Sequence, residues 1–279
     1  RNLVQDDVIF VSESGLETPE DIQVLRDNNI GVALMGETFM RSPNKVEKLA
    51  YLYGPTYYTP KVKLCGISKV ETIPAVLEAR PDYMGLVFAP SKRQVTVEQA
   101  KTLVEELHKV YVKKYGSDTE QDKNDTIKTV GVFVNETVDN LVTIANEANL
   151  DAVQLHGDED ETFIQSLKER TNVEVWKAVQ IRSAVDAEAW IDSSADMLLF
   201  DAYHKDERGG TGEVFDWSSL DDFERPFMLA GGIDSTNVAR AIRTVRPYGI
   251  DISSGIETNG VKDDEKITAF TKIVKSIGR

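Results

Sequence analysis

A single cysteine, Cys65, stands in a chain of 279 residues. No internal disulfide is available, so the thiol is free for chemistry and the composition fits a reducing compartment. No apolar run approaches the ~20 residues that a membrane-spanning helix needs. The start carries no charged segment followed by an apolar stretch, so no secretory signal is read. A cytoplasmic protein with no membrane partner is therefore expected. The chain opens on Arg1 rather than Met, which reads as a piece of a longer polypeptide. Positive charge is also scarce: 32 Lys and Arg face 47 Asp and Glu, for a net charge of −15. That balance argues against nucleic acid, whose phosphates are bound by clustered cations. An anionic small molecule would have to be held by helix N-termini and backbone amides against an unfavourable mean field. No His and carboxylate cluster at ligand spacing is found, so no metal is expected. No G-x-G-x-x-G follows the first barrel strand, which counts against an open doubly wound sheet holding a dinucleotide.

What is present is a long alternation of short apolar, β-rich runs with helical patterns, the signature of βαβ units and a parallel sheet. From Lys61 onward the strand candidates are 62–67, 83–88, 129–134, 152–156, 175–180, 197–201, 227–230 and 249–253. Helices are expected at 97–112, 138–148, 161–170, 236–245 and 263–277, with Thr137 and Ser235 as caps. The sixth crossover, around Trp217 to Leu220, is short. Eight such strands predict an α/β (β/α)₈ TIM barrel over residues 61–279, with chemistry at the C-terminal strand ends. The polar, aperiodic stretch Lys113 to Lys128 reads as a solvated insertion. Residues 1–54 hold two more βα units, with strands at 8–12 and 32–35 and helices at 19–28 and 44–52. They form a partial barrel fragment, and two units leave apolar faces uncovered. Residues 55–60 serve as the linker.

Alternation along VKLCGI puts Lys63 and Cys65 on one face, inward if Leu64 packs against helices. A lone cysteine in an apolar strand is commonly inert core, but an inward lysine needs a partner and places a charged layer below the mouth. The sixth strand, MLLFDA, ends in Asp201; such a residue can be a turn-former or a catalyst. A thiol and a carboxyl facing across one mouth can act as base and acid. Gly231 and Gly232 after strand seven, with Ser253, Ser254 and Gly255 after strand eight, suggest a phosphate site of backbone amides. Arg93, beside Lys92 in FAPSKRQV, can fork onto a substrate carboxylate. Gln154 and His156 in AVQLHG share a face and read as lining residues.

In order, KLCGI, GLVFAPSKRQV, GVFVN, AVQLHGDE, LLFDA, GGTGEVFDW, LAGGI, NV and DISSGIE resemble the phosphoribosylanthranilate isomerase family across residues 61–279. The resemblance implies a cofactor-independent Amadori rearrangement in tryptophan biosynthesis, with N-(5′-phosphoribosyl)anthranilate as the phosphorylated substrate. It implies Cys65 as general base, Asp201 as general acid and Arg93 on the anthranilate carboxylate. Gly232, Asp251, Ser253, Ser254 and Gly255 would line the phosphate and ribose side. A nearby Lys63 would depress the thiol toward neutrality.

The first 54 residues resemble the end of another family, indole-3-glycerol-phosphate synthase, through VSESGLETPED and VALMGETFMR. That likeness implies substrate contacts at Glu13, Ser14 and Gly15 and phosphate contacts near Gly36 and Glu37. The six earlier strands and the catalytic lysines of that family are missing, so no synthase activity is expected from this chain, and a bifunctional fusion is. Two other readings stay open at this point: a different phosphosugar isomerase or epimerase barrel, and a non-catalytic phosphate-binding barrel.

Overall fold

The computed structural model describes residues 11–13, 15–28, 30, 32–43, 45–53, 59–116, 126–202, 217–220 and 223–277. The chain divides into two compact units, Arg1–Tyr58 and Thr59–Arg279.

The first unit runs β1 (Val11–Glu13), α1 (Pro19–Asp27), β2 (Val32–Leu34), α2 (Gly36–Met40) and α3 (Lys45–Tyr53). β1 and β2 pair in parallel, Val11 opposite Val32. Thr18 and Asp21 start α1 by reciprocal bonding: Asp21 accepts from the Thr18 amide at 2.9 Å, and Thr18 Oγ1 accepts from the Asp21 amide at 3.3 Å. Leu16, Ile22, Leu25 and Leu52 make a small core with Ile30, Ala33, Met35 and Phe39 against it. Val11, Val32 and Leu34 stay exposed. The short α2 was not expected from the sequence. Ser14 lies outside the described residues, as do residues 54–58 of the linker region.

The second unit is a closed barrel of eight parallel strands, ordered β10-β3-β4-β5-β6-β7-β8-β9. Its strands are β3 (Lys61–Cys65), β4 (Tyr83–Val87), β5 (Lys128–Phe133), β6 (Ala152–Leu155), β7 (Glu174–Ile181), β8 (Met197–Ala202), β9 (Phe227–Ala230) and β10 (Gly249–Ile252). The helices between and after them are α4 (Ile73–Ala79), α5 (Val97–Tyr115), α6 (Val138–Glu147), α7 (Glu161–Lys168), α8 (Ala184–Glu188), α9 (Val238–Val245) and α10 (Asp264–Ile277). The sixth crossover contains a 3-10 turn at Trp217–Leu220, and residues 203–216 lie outside the described residues. A hairpin of β11 (Glu257–Thr258) and β12 (Val261–Lys262) precedes α10.

A recurrent device ties the N-terminal end of the barrel. The aspartates just before β4, β6 and β8 each accept from a backbone amide of the preceding strand. Asp82 takes that of Val62 at 2.9 Å, Asp151 that of Thr129 at 2.7 Å, and Asp196 that of Val175 at 2.8 Å. These close open donors at the strand starts. Inside, Tyr83, Val130, Ala152, Trp176, Ala178, Leu199, Met228 and Ala230 form one buried cluster. Tyr83 and Trp176 pack edge to face with ring centroids 4.8 Å apart. Side chains of opposite parity, such as Leu64, Met84, Val153 and Phe200, are fully buried on the other side of the sheet.

The eight expected strands are all present, with ends shifted by at most two residues. β3 stops at Cys65 because Gly66 turns at φ 79°, not because apolar character runs out. Thr137 caps α6 as expected, its hydroxyl accepting from Asn140. Ser235 does not cap α9. Asp234 instead accepts from the Thr236 and Asn237 amides at 2.7 and 3.2 Å, and the helix begins at Val238. The expected insertion at 113–128 is shorter, because α5 continues through Tyr115 and β5 starts at Lys128. Residues 117–125 lie outside the described residues.

Candidate active site

Register decides which side chains meet. In a parallel ladder, paired residues point the same way. Lys63 is paired with Tyr83, Asp251 with Lys63, and Cys65 with Gly85. Gln154 is paired with Trp176, and Asp201 with both Gln180 and Ala230. All therefore share the inward parity of the apolar cluster, and Cys65, Gln154, Asp201 and Asp251 lie past the midpoints of their strands. The barrel interior changes from apolar to ionisable along its axis.

Cys65 closes β3 and is 8% exposed. Two residues earlier, Lys63 is fully buried and its Nζ lies 3.0 Å from Oδ2 of Asp251, a residue 188 positions away. Space for both comes from β4. A Cβ at Gly85 would lie 3.1 Å from Cys65 Sγ and 3.1 Å from Lys63 Nζ, tighter than ordinary contact, so a glycine there leaves the thiol and the ammonium their positions. Burial raises the thiol pKa; the charges of Lys63 and Lys262 oppose this only in part, and Asp251 adds to it. The depression expected from Lys63 alone is therefore corrected: the net shift is upward, because desolvation outweighs the ammonium. Burial likewise opposes charge on Lys63, yet Asp251 and Cys65 hold its pKa above the usual value. Asp251 Oδ1 is buried without a hydrogen bond among the described residues. The sequence expects Asp251 on the ligand side; in the structure its Oδ2 pairs with Lys63.

Across the mouth, Asp201 Oδ2 lies 3.4 Å from His156 Nε2, with both side chains about a quarter exposed, at 26% and 27%. His156 Nδ1 is 2.9 Å from the Nε2 of buried Gln154. The other ring nitrogen, Nε2, is the one that faces Asp201. The loop carrying His156 is clamped from outside the barrel. Glu159 accepts from the amides of Asn135 and Gly157 at 2.7 and 2.9 Å and pairs with Lys177 at 2.9 Å. Lys177 also donates to the Gly157 carbonyl at 2.7 Å.

The glycine and serine loops lie side by side. Gly231 and Gly232 take φ of 87° and 61°, a conformation glycine adopts without strain. Gly255 sits so close to Ile233 and Asp234 that no Cβ fits. Ser253 Oγ donates to the Cys65 carbonyl at 3.2 Å. Ser254 and Gly255 form a 3-10 turn after it, with Ser254 exposed. Arg93, in the loop after β4, lays its Cδ over Gly66.

Two residues of this region escaped the sequence reading. Glu257 receives Arg93 Nε at 2.5 Å and Nη2 at 3.0 Å, and pairs with Lys262 at 3.0 Å. A signal for their placement was present: Asn259 and Gly260 join β11 to β12 with φ of 54° and 78°, the conformation that makes Asn-Gly a strong hairpin marker.

Comparison with known proteins identifies the family. Residues 62–273 match the N-(5'phosphoribosyl)anthranilate (PRA) isomerase family. An N-(5'-phosphoribosyl)anthranilate isomerase of Endomicrobium trichonymphae is 42% identical over 218 residues, covering 78% of this chain and 100% of that protein. The phosphoribosyl anthranilate isomerase structure from Thermotoga maritima superposes with a TM-score of 0.65 at 34% identity, covering 78% of this chain and 99% of that one. A multifunctional tryptophan biosynthesis protein of Phycomyces blakesleeanus is 34% identical over 323 residues; the alignment takes in 99% of this chain and 42% of that protein. The chain described here is a member of the N-(5'-phosphoribosyl)anthranilate isomerase family.

Proposed function

We propose that the barrel converts N-(5′-phosphoribosyl)anthranilate to 1-(2-carboxyphenylamino)-1-deoxyribulose 5-phosphate without a cofactor. Asp201 gives its proton to the ring oxygen as the C1′–O bond breaks and the anthranilate nitrogen forms the C1′ imine. Cys65, as thiolate, takes the C2′ proton, leaving an enolamine. Loss of the C2′ hydroxyl proton and protonation at C1′ then give the aminoketone, with no net change in composition. Arg93 binds the anthranilate carboxylate. Gly231, Gly232, Ser253, Ser254 and Gly255 offer amides and hydroxyls to the phosphate. Gln154, His156 and Asp251 line the ribose.

The observation that carries this reading is the shared inward register of Cys65 and Asp201 at the C-terminal ends of their strands in one closed barrel. An acid and a base must reach one substrate from separate directions, and this arrangement supports that. The test is steady-state turnover, followed by loss of substrate fluorescence. Cys65→Ser and Asp201→Asn should each lower kcat by about 10²–10⁴-fold with unchanged circular dichroism. Near-normal turnover in either variant removes that residue from the chemistry.

We also infer that residues 1–54 come from a synthase-like barrel fused ahead of the isomerase. Two parallel βα units and an alignment that spans 99% of this chain within a multifunctional protein support this. This chain should form no indole-3-glycerol phosphate from the isomerase product, and the parent polypeptide isolated from its source should exceed 31.1 kDa. A parent of this size, or measurable synthase turnover, overturns the inference.

A further inference from the structure

Glu257 sits at the edge of the site and takes no part in the chemistry above. Its side chain is 5% exposed. It draws in three cations: Arg93, Lys262 at 3.0 Å and Lys92 at 3.2 Å. Burial opposes its ionisation, but hydrogen bonds from Arg93 and Lys262, with the charge of Lys262 and the bond from Lys92, hold its pKa at about 2. It is therefore an anion throughout the neutral range. Three cations around one anion also leave local positive charge beside the thiol of a chain whose net charge is −15.

The manner of the Arg93 contact is informative. A guanidinium offers two forks to a carboxylate, one from Nε with Nη2 and one from Nη1 with Nη2. Glu257 occupies the first, at 2.5 and 3.0 Å. On the second, Nη1 takes no hydrogen-bond partner among the described residues, and Nη2 keeps one of its two hydrogens. The arginine stem is held as well: a Cβ built on Gly66 would meet Arg93 Cδ at 2.5 Å, so the stem lies directly on the turn that follows Cys65. Lys262 completes the circuit. It donates to the Ser253 carbonyl at 2.8 Å, and Ser253 donates to the Cys65 carbonyl at 3.2 Å. The hairpin, the arginine and the catalytic strand are thereby joined by hydrogen bonds.

The geometry points to Glu257 as a positioning residue that grips Arg93 by its side-on fork and leaves the end-on fork oriented for the carboxylate of an anthranilate-type ligand. The inference rests on the reading of Arg93 given above. A side chain fixed at its stem and along one edge loses little further freedom when a ligand carboxylate arrives, so more of the binding free energy is retained.

The test compares two ligands by calorimetry: the reduced product analogue bearing the 2-carboxyphenylamino group, and the same molecule without the carboxyl. The unsubstituted protein should prefer the first. Glu257→Gln should lose on the order of tenfold of that preference, about 1.4 kcal/mol, and raise KM by more than it lowers kcat. Glu257→Asp keeps the charge on a shorter stem and should fall between; it also carries the test if the Gln variant does not fold. A residue that only braces the hairpin would weaken both ligands alike, and an unchanged preference in both variants overturns the inference. Arg93→Ala separates the two levels. If it abolishes the preference while both Glu257 variants keep it, the inference about Glu257 alone fails. If Arg93→Ala itself keeps the preference, the reading of Arg93 fails.

Discussion

The lysine beneath the thiol compensates two buried groups at once. It is fully buried beside Asp251 and within reach of Cys65; without it Asp251 would lose the ion pair it makes in the interior, and Cys65 would keep only the weaker influence of Lys262. In the proposed role as base, Cys65 would act only after losing its proton, and burial has moved its pKa upward. The active fraction therefore grows with rising pH, and kcat/KM should climb through the alkaline range with an inflection above the ordinary thiol value. Lys63→Met should move that inflection further up. It should also destabilise the protein by about 3–5 kcal/mol in urea titration, since removing one partner leaves Asp251 buried and unpaired. Adding Asp251→Asn should restore part of the stability but not the rate. Recovery of the rate would show that the ammonium does not serve the thiol. The inward placement of Lys63 and Cys65 was legible in VKLCGI from alternation. The identity of their partner was not, because Asp251 lies 188 residues away and only strand pairing brings it near.

At the scale of elements, the β11–β12 hairpin links the last strand to the arginine of the second loop. The Glu257 carboxyl titrates at about 2 in the folded protein against an ordinary 4.5. A depressed carboxyl contributes stability that is present in full above the unfolded value and is lost as pH falls from about 4.5 toward 2. Glu257→Gln should therefore melt below the unsubstituted protein at pH 7, by roughly 2–4 °C for each kcal/mol lost. The gap should narrow steadily below pH 4.5 in scanning calorimetry. A gap of constant size down to pH 2.5 would place the difference in packing and not in charge. The strand pattern was readable because each β segment obeys its own periodicity. Element ends were not: Gly66 ends β3 by its positive φ, and Asp234 rather than Ser235 satisfies the amides before α9. Local hydrogen-bond competition settles such choices, and residue type alone does not rank two neighbouring candidates.

For the whole molecule, every residue proposed for the isomerase lies within Thr59–Arg279, one of the two compact units. That unit closes its own barrel through the pairing of β10 with β3, so it needs no outside strand to complete its sheet. Residues 59–279 expressed alone should keep kcat and KM within about threefold of the full chain, a change worth under ~1 kcal/mol. Loss of folding would show that the first unit supports the barrel. The first unit differs in kind: among the described residues its two parallel strands leave Val11, Val32 and Leu34 exposed.

By itself the sequence determined the barrel, the inward face of its first strand and the thiol and carboxyl near the ends of two strands, because these follow from alternation and from the order of motifs. The tertiary structure alone decided how those groups are charged and held. It raised the Cys65 pKa where a neighbouring lysine suggested the reverse, and it supplied Glu257 as a partner for Arg93. The reason is physical: desolvation and Coulomb energy depend on distance through space and on burial, and neither is encoded in the spacing of residues along a chain.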